Sequence, residues 1–191
     1  MQYDIRQRAH RMSGVNFSDL EYSNDYGGDT YMIRAIDEND VESCVRVIRE
    51  SFMTVAKQYN ITVENSPYFT AFATDENRIH TWMHEQHRPM YGYFDNDKLV
   101  GYYNLSFPGE EECELGSLCV LPEYRHKGIG EILLDDSISR AKELGCNVMK
   151  LSIVEENTVL REWYEKHGFI HTETRKFDFF SFTAGYMEKE I

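Results

Sequence analysis

The feature of this sequence that most restricts its fold is a glycine-containing hexapeptide between an apolar segment and a helix. Its residues are Arg125, His126, Lys127, Gly128, Ile129 and Gly130. Pro122 ends the apolar segment before it, and apolar residues at helical spacing follow it. The two glycines let backbone N–H groups turn toward an anion, and the first turn of a helix adds partial positive charge there. The hexapeptide therefore predicts a site for a pyrophosphate group.

Two common nucleotide-binding motifs do not fit the hexapeptide. A Walker A loop requires Lys and then Ser or Thr after its last glycine, whereas Gly130 is followed by Glu131 and Ile132. A dinucleotide-binding fingerprint requires a third glycine, which is missing. Arg125 and Lys127 place positive charge beside the glycines in a chain of net charge -13. The type of ligand that carries the pyrophosphate must therefore be inferred from the residues around the hexapeptide.

A second motif lies downstream of the hexapeptide. Asn157 opens the segment NTVLREWYEKHGF, which contains Tyr164 and closes with a Gly-Phe pair. Together, the two motifs resemble those of the GNAT family of acetyl-CoA-dependent N-acyltransferases, whose signature is R/Q-x-x-G-x-G/A. The resemblance covers Met32 to the C-terminus and is strongest between Glu112 and Phe169. It implies an α/β (α+β) fold with a mixed, mostly antiparallel sheet of about six to seven strands flanked by helices, in which central strands splay apart.

The resemblance also implies a ligand and its contacts. Acetyl-CoA is the expected co-substrate, and no metal is expected to take part. The hexapeptide would hold the coenzyme pyrophosphate, and Asn157 would contact the pantetheine arm as well as cap its own helix. The backbone of Val120 would pair with the pantetheine amides as an added strand does. The Leu118 N–H would polarise the acetyl carbonyl.

Two side chains are the candidate catalytic groups. Tyr164 matches the family tyrosine whose hydroxyl protonates the departing thiolate. Glu114 lies on the strand that leads into the hexapeptide, and its place matches a glutamate that some members use as the base. A chain of water molecules is the alternative base, because the acceptor amine must lose a proton before it attacks.

Composition restricts the class of partner. The acidic balance, with pI ≈ 4.9, argues against nucleic-acid binding. It fits a cationic acceptor such as an amine, or solubility alone. No apolar run approaches the ~20 residues of a membrane span, and no signal-peptide pattern begins the chain. The four cysteines form no CxxC pair, so we expect reduced thiols in a cytoplasmic protein.

The chain divides into an extension and a domain. Residues 1–31 are polar and lack a sustained apolar period, so we expect an extension that is flexible or loosely packed. An arm that reaches a second subunit is the alternative, which leaves a homodimer open. Residues 32–191 are expected to form a single domain.

Three histidines have spacing that a metal site could use. His80, His84 and His87 fall at helical spacing, but no acidic or cysteine ligand is evidently placed with them. We therefore interpret them as a polar helix face.

Three functions fit the motifs. The first is acetyl transfer to a primary amine of a small molecule by direct attack in a ternary complex. The second is acetylation of a protein lysine or N-terminus, and the third is an acetyl-CoA sensor without catalysis. The presence of Tyr164 and Glu114 argues against the sensor. Bulky aromatic residues between Gln58 and Thr74 and in the C-terminal hairpin favour an enclosed, small-molecule acceptor site.

Overall fold

A single mixed sheet forms the centre of the molecule. The computed structural model describes residues 22–26 and 29–191. Its strands are β1 (Tyr22–Tyr26), β2 (Asp29–Ala35), β3 (Met90–Asp95), β4 (Lys98–Ser106), β5 (Glu112–Val120), β6 (Val148–Val154), β7 (Ile170–Lys176) and β8 (Thr183–Glu190). Within these residues the strand order is β1-β2-β3-β4-β5-β6-β8-β7. All neighbours are antiparallel except β5 and β6, which are parallel.

Helices cover the sheet. They are α1 (Val41–Gln58), α2 (Thr70–Ala73), α3 (Glu76–His80), α4 (Ile129–Glu143) and α5 (Thr158–Lys166), and α3 continues as a π-helical turn over Thr81–Glu85. The chain enters α1 through a 3-10 turn that Asp37 caps by accepting a hydrogen bond from the Asn39 N–H at 2.7 Å. Strand β4 is buried from Leu99 to Leu105, so both of its faces must be covered. Helices α1 and α4 both pack against β4 and β5, and they enclose the middle of the sheet.

A polar network fixes α4 on the sheet. The Tyr103 hydroxyl donates to Asp136 at 2.5 Å, and Arg140 Nε donates to the same carboxylate at 2.8 Å. The Arg140 guanidinium also lies 3.9 Å from the centre of the Tyr91 ring. Satisfied polar networks of this kind hold elements in one arrangement. Contacts with β3 and β4 therefore hold the middle and the C-terminal part of α4 against the sheet.

The structure extends the sequence prediction at the N-terminal side. The described part of the sheet has eight strands, more than the expected six to seven. Strand β1 and the start of β2 lie in the expected extension, where β1 pairs with β2 from Tyr22↔Ile33 to Tyr26↔Asp29. The rest of the extension, residues 1–21 and 27–28, lies outside the described residues. The boundary at residue 32 stays a prediction.

Candidate active site

The central strands separate in the middle of the sheet. Strands β5 and β6 pair only over Glu112–Glu114 and Val148–Lys150, yet they continue to Val120 and Val154. No described strand lies between them beyond this point, so the β5 backbone that faces β6 is left open. A cavity of about 940 Å³ occupies the gap, and residues of both strands line it. The predicted splay of central strands is therefore present.

A β-bulge marks the strand that lines this gap. Tyr102 pairs with Cys119 and Asn104 with Gly116, so β5 has one residue more than β4 in this interval. Ser117 has a φ of +52°, a value that places it in the left-handed region. Leu118 and Val120, the two predicted backbone contacts, both line the cavity. A bulge of this kind turns the following peptide groups relative to the sheet.

The hexapeptide forms an open corner at one end of the cavity. His126 (φ +62°) and Gly128 (φ +82°) are both left-handed, and Gly128 caps α4. The five amides from His126 to Gly130 have no hydrogen-bond acceptor within the described part of the chain. A Cβ atom at Gly128 would meet nothing within 4 Å. Unpaired amides, free space and the start of a 15-residue helix are the features by which helix N-termini can bind anions.

The members of the hexapeptide divide into two groups. Arg125, His126, Gly128 and Gly130 line the cavity, whereas Lys127 and Ile129 do not. Ile129 is buried in the core at 5% exposure. The Lys127 ammonium lies 4.9 Å from the centre of the Tyr124 ring, on an exposed side chain. Any contact of Ile129 with a ligand would therefore be through its backbone.

Arg125 is bound to the protein on all sides of its guanidinium. Nε donates to the Val120 carbonyl at 3.1 Å, Nη1 to Thr54 Oγ1 at 3.0 Å and Nη2 to the Ser51 carbonyl at 3.0 Å. Burial lowers its pKa from the ordinary value of arginine. The sequence places the positive charge of Arg125 beside the phosphate site; in the structure Arg125 lines the cavity and also clamps the end of β5 to α1. The sequence carries no local signal for this clamp, because its partners Ser51 and Thr54 lie more than 70 positions before Arg125.

Tyr164 and Asn157 lie on the opposite wall of the cavity. Tyr164 is only 6% exposed and contacts the Trp163 and Phe169 rings at 4.9 Å and 5.3 Å. Burial, and secondarily Cys119, raises the pKa of Tyr164 well above the ordinary value of tyrosine. Its hydroxyl therefore keeps a proton that it can donate. Asn157 caps α5 by accepting from the Leu160 N–H at 3.2 Å, which leaves its amide nitrogen available to a ligand.

Aromatic residues line the other end of the cavity. The segment after α1 and the connection between β7 and β8 meet there: Tyr68 contacts Phe179 at 5.8 Å, and Phe69 contacts Phe182 at 5.6 Å. Ser66 Oγ accepts from the Ser181 N–H at 2.9 Å and lies 3.1 Å from Ser181 Oγ. We call this contact between the two segments the bridge. It borders the region where the sequence predicts the acceptor site.

Comparisons with known proteins identify the family. Residues 55–169, more than half of the chain, match the model of the acetyltransferase (GNAT) family. The chain belongs to this family. It is an acetyl-CoA-dependent N-acetyltransferase, and the predicted family, fold class and enzyme class are confirmed.

Individual GNAT relatives cover most or part of the chain. This chain is 27% identical over 154 residues to a spermidine N(1)-acetyltransferase of Thermoplasma acidophilum. The match covers 77% of this chain and 92% of the relative. This chain is also 32% identical over 82 residues to a ribosomal protein bS18 alanine N-acetyltransferase of Haemophilus influenzae. That match covers 43% of this chain and 55% of the relative. The solved PaiA N-acetyltransferase of Thermoplasma acidophilum, in complex with coenzyme A, has a TM-score of 0.66 and 25% identity, and the match covers 84% of this chain and 99% of that one.

Glu114 lies apart from the rest of the site in this GNAT protein. It is exposed in the paired part of β5, between Ser106 on β4 and Lys150 on β6, and is not among the described residues that line the cavity. Its charge opposes the burial that lowers the pKa of Arg88. The strands separate immediately after Glu114, a point that the sequence does not mark. The structure thus brings Tyr164, Asn157 and four residues of the hexapeptide to one cavity, but not Glu114.

Two of the three histidines have an acidic neighbour after all. Glu38 Oε1 lies 2.5 Å from His84 Nε2, and Glu38 Oε2 lies 3.4 Å from His80 Nδ1. The expectation that no acidic group accompanies these histidines was wrong, because Glu38 comes from the turn before α1. His87 is exposed with a φ of +47° and does not belong to this group.

None of the helices in the described part of the chain combines the length and apolar character that a membrane span needs.

Proposed function

We propose that this enzyme transfers the acetyl group of acetyl-CoA to a primary amine of a small molecule by direct attack in a ternary complex. One observation carries the proposal: the open corner, the free edge of β5, Tyr164 and the aromatic end all belong to a single cavity. A cavity that is continuous from an anion site to an apolar chamber suits a long coenzyme at one end and an acceptor at the other.

The coenzyme lies along the cavity from the corner inward. Its diphosphate accepts hydrogen bonds from the amides between His126 and Gly130. The pantetheine arm pairs with the backbone of Val120 and meets the free amide nitrogen of Asn157. The coenzyme A in the related Thermoplasma structure supports the same class of ligand here.

The reaction exchanges a thioester for an amide. The amine nitrogen attacks the acetyl carbonyl carbon, a C–N bond forms, and the C–S bond breaks as the electron pair returns to sulfur. The Leu118 N–H stabilises the charge that develops on the carbonyl oxygen. Tyr164 gives its proton to the departing thiolate, the nitrogen loses its proton to a chain of water molecules, and the tyrosinate then regains a proton from water. Water is preferred to Glu114 because Glu114 lies outside the cavity lining.

The bridge favours a small acceptor over a protein. A protein substrate would need an open groove between the segment after α1 and the β7–β8 connection. Here Ser66 and Ser181 join those segments, and two aromatic pairs strengthen the contact. The relatives support both kinds of acceptor by name, since one is named for spermidine and another for a ribosomal protein. The bridge is a property of this chain itself, and it favours a small acceptor over a protein.

An assay of thiol release with a panel of amines tests the proposal. We expect release of coenzyme A with at least one small amine, and Tyr164→Phe should lower kcat by about 10²–10⁴-fold because it removes the proton donor. Calorimetry should show unchanged coenzyme affinity in this variant. Tyr31→Phe is the matched control, since Tyr31 stacks on Tyr93 and is not among the lining residues.

Two outcomes would contradict this function. Tight coenzyme binding without turnover of any amine would favour the sensor. Turnover of peptides alone would favour a protein acetyltransferase.

A further inference from the structure

The end of the cavity away from the hexapeptide is walled by aromatic rings. Six of them come from the segment after α1 and the β7–β8 connection: Tyr68, Phe69, Phe177, Phe179, Phe180 and Phe182. The Phe180 and Phe182 rings stack at 4.7 Å with 24° between their planes, and Phe179 meets Phe180 at 4.7 Å and 66°. Rings that hold one another in this way present a well-defined apolar surface. We call this region the aromatic chamber.

The aromatic chamber has no formal charge, although the protein is strongly acidic. The chain contains 33 acidic residues, yet Glu131 is the only carboxylate among the described residues that line the cavity. Glu131 belongs to the first turn of α4. Apart from tyrosine and cysteine, the other titratable residues in the described lining are Arg125 and His126. All three lie at the coenzyme end.

This separation of charge determines which amines the chamber can hold. An ammonium group that enters this site without a counter-charge loses its hydration, and the cation–π attraction of the ring faces returns only part of that cost. A single reacting amine avoids this cost, because apolar surroundings lower its pKa and favour the neutral form that attacks. A second ammonium elsewhere on the acceptor does not avoid the cost. It must either stay charged in the apolar site or lose its proton as well, and each alternative weakens binding.

We infer that the acceptor is a monoamine attached to an aromatic or bulky apolar group, and that the aromatic chamber selects it over diamines and polyamines. The inference rests on the proposed function, whose bond changes it shares: the same nitrogen forms the C–N bond, and coenzyme A leaves as the thiol. It separates this chain from the relative that is named for spermidine, an acceptor with several ammonium groups.

Steady-state rates with chosen acceptors test this inference. The probes are 2-phenylethylamine, 1,4-diaminobutane and spermidine, each with saturating acetyl-CoA and detection of the released thiol. We expect kcat/KM for 2-phenylethylamine to exceed the other two by at least about 100-fold. Equal or higher values for the diamine or spermidine would overturn the inference and leave the proposed function intact. No thiol release with any amine would contradict the proposed function, and the inference with it.

A variant that adds charge to the chamber gives an independent test. Phe179 is 47% exposed, so Phe179→Glu should fold, and it places a carboxylate at the lining. We expect the preference for 2-phenylethylamine over 1,4-diaminobutane to fall at least about tenfold, since the second ammonium gains a partner. Ile170→Glu is the control, because Ile170 is 69% exposed and is not among the lining residues. An unchanged preference in Phe179→Glu, or an equal fall in Ile170→Glu, would overturn the inference.

Discussion

Glu114 and Tyr164 were both candidate catalytic residues, but only Tyr164 lines the cavity. We therefore expect Glu114→Gln to change kcat less than about threefold, whereas general acid–base groups typically contribute 10²–10⁴-fold. The measurement is kcat under saturating acetyl-CoA and acceptor. A loss of more than about 100-fold in Glu114→Gln would restore Glu114 as the base and contradict the water relay.

The pH dependence of the reaction reports on the Tyr164 proton. Because burial raises the pKa of Tyr164, its hydroxyl stays protonated below that raised value and loses the proton only above it. We expect kcat to hold steady from about pH 8 to pH 10, a range in which an ordinary tyrosine would begin to ionise. A pH profile of kcat in the wild type checks this. An alkaline decline centred below about pH 9 that Tyr164→Phe abolishes would show that Tyr164 loses its proton early and would refute the assignment.

At the scale of elements, the Arg125 clamp joins α1 to the end of β5. Arg125→Met removes all three hydrogen bonds and takes the side-chain donor from the Val120 carbonyl, whereas the Ser51 carbonyl keeps the Thr54 hydroxyl as a donor. We expect the free energy of unfolding to fall by about 1–3 kcal/mol, since three hydrogen bonds between β5 and α1 or within the corner are lost. Urea unfolding measures it.

Lys127→Met is the matched control for the clamp. Lys127 is the exposed cation two positions away, and surface substitutions usually change stability by less than about 0.5 kcal/mol. Equal stability of Arg125→Met and the wild type would mean that the clamp does not hold the two elements together.

Across the whole molecule, the sequence predicted what local chemistry encodes. The hexapeptide turn, the helix that follows it and the Asn157 cap depend on neighbouring residues, and the structure has them. The splay of β5 and β6 and the fold class followed from the family resemblance. Wherever the sequence failed, the missing partner was distant in the chain.

Particular residues show how that limit arises. Glu38, in the turn before α1, contacts His84 in the π-helical turn after α3. Ser66 and Ser181, which form the bridge, are likewise distant in the sequence. Glu114 lies one residue before the strands separate, and Arg125 takes its partners from α1. Alternation along a strand or spacing along a helix gives no information about such contacts.

Binding of the diphosphate depends on the backbone amides of the corner, and NMR can observe them individually. The amide resonances of uniformly ¹⁵N-labelled protein would be followed during titration with coenzyme A, and then with pantetheine, which lacks the diphosphate. We expect the resonances of residues 126–130 to move strongly downfield with coenzyme A and to stay in place with pantetheine, because hydrogen bonds to phosphate deshield them. Resonances that stay in place with both ligands, while coenzyme A demonstrably binds, would contradict the assignment of the diphosphate to this corner.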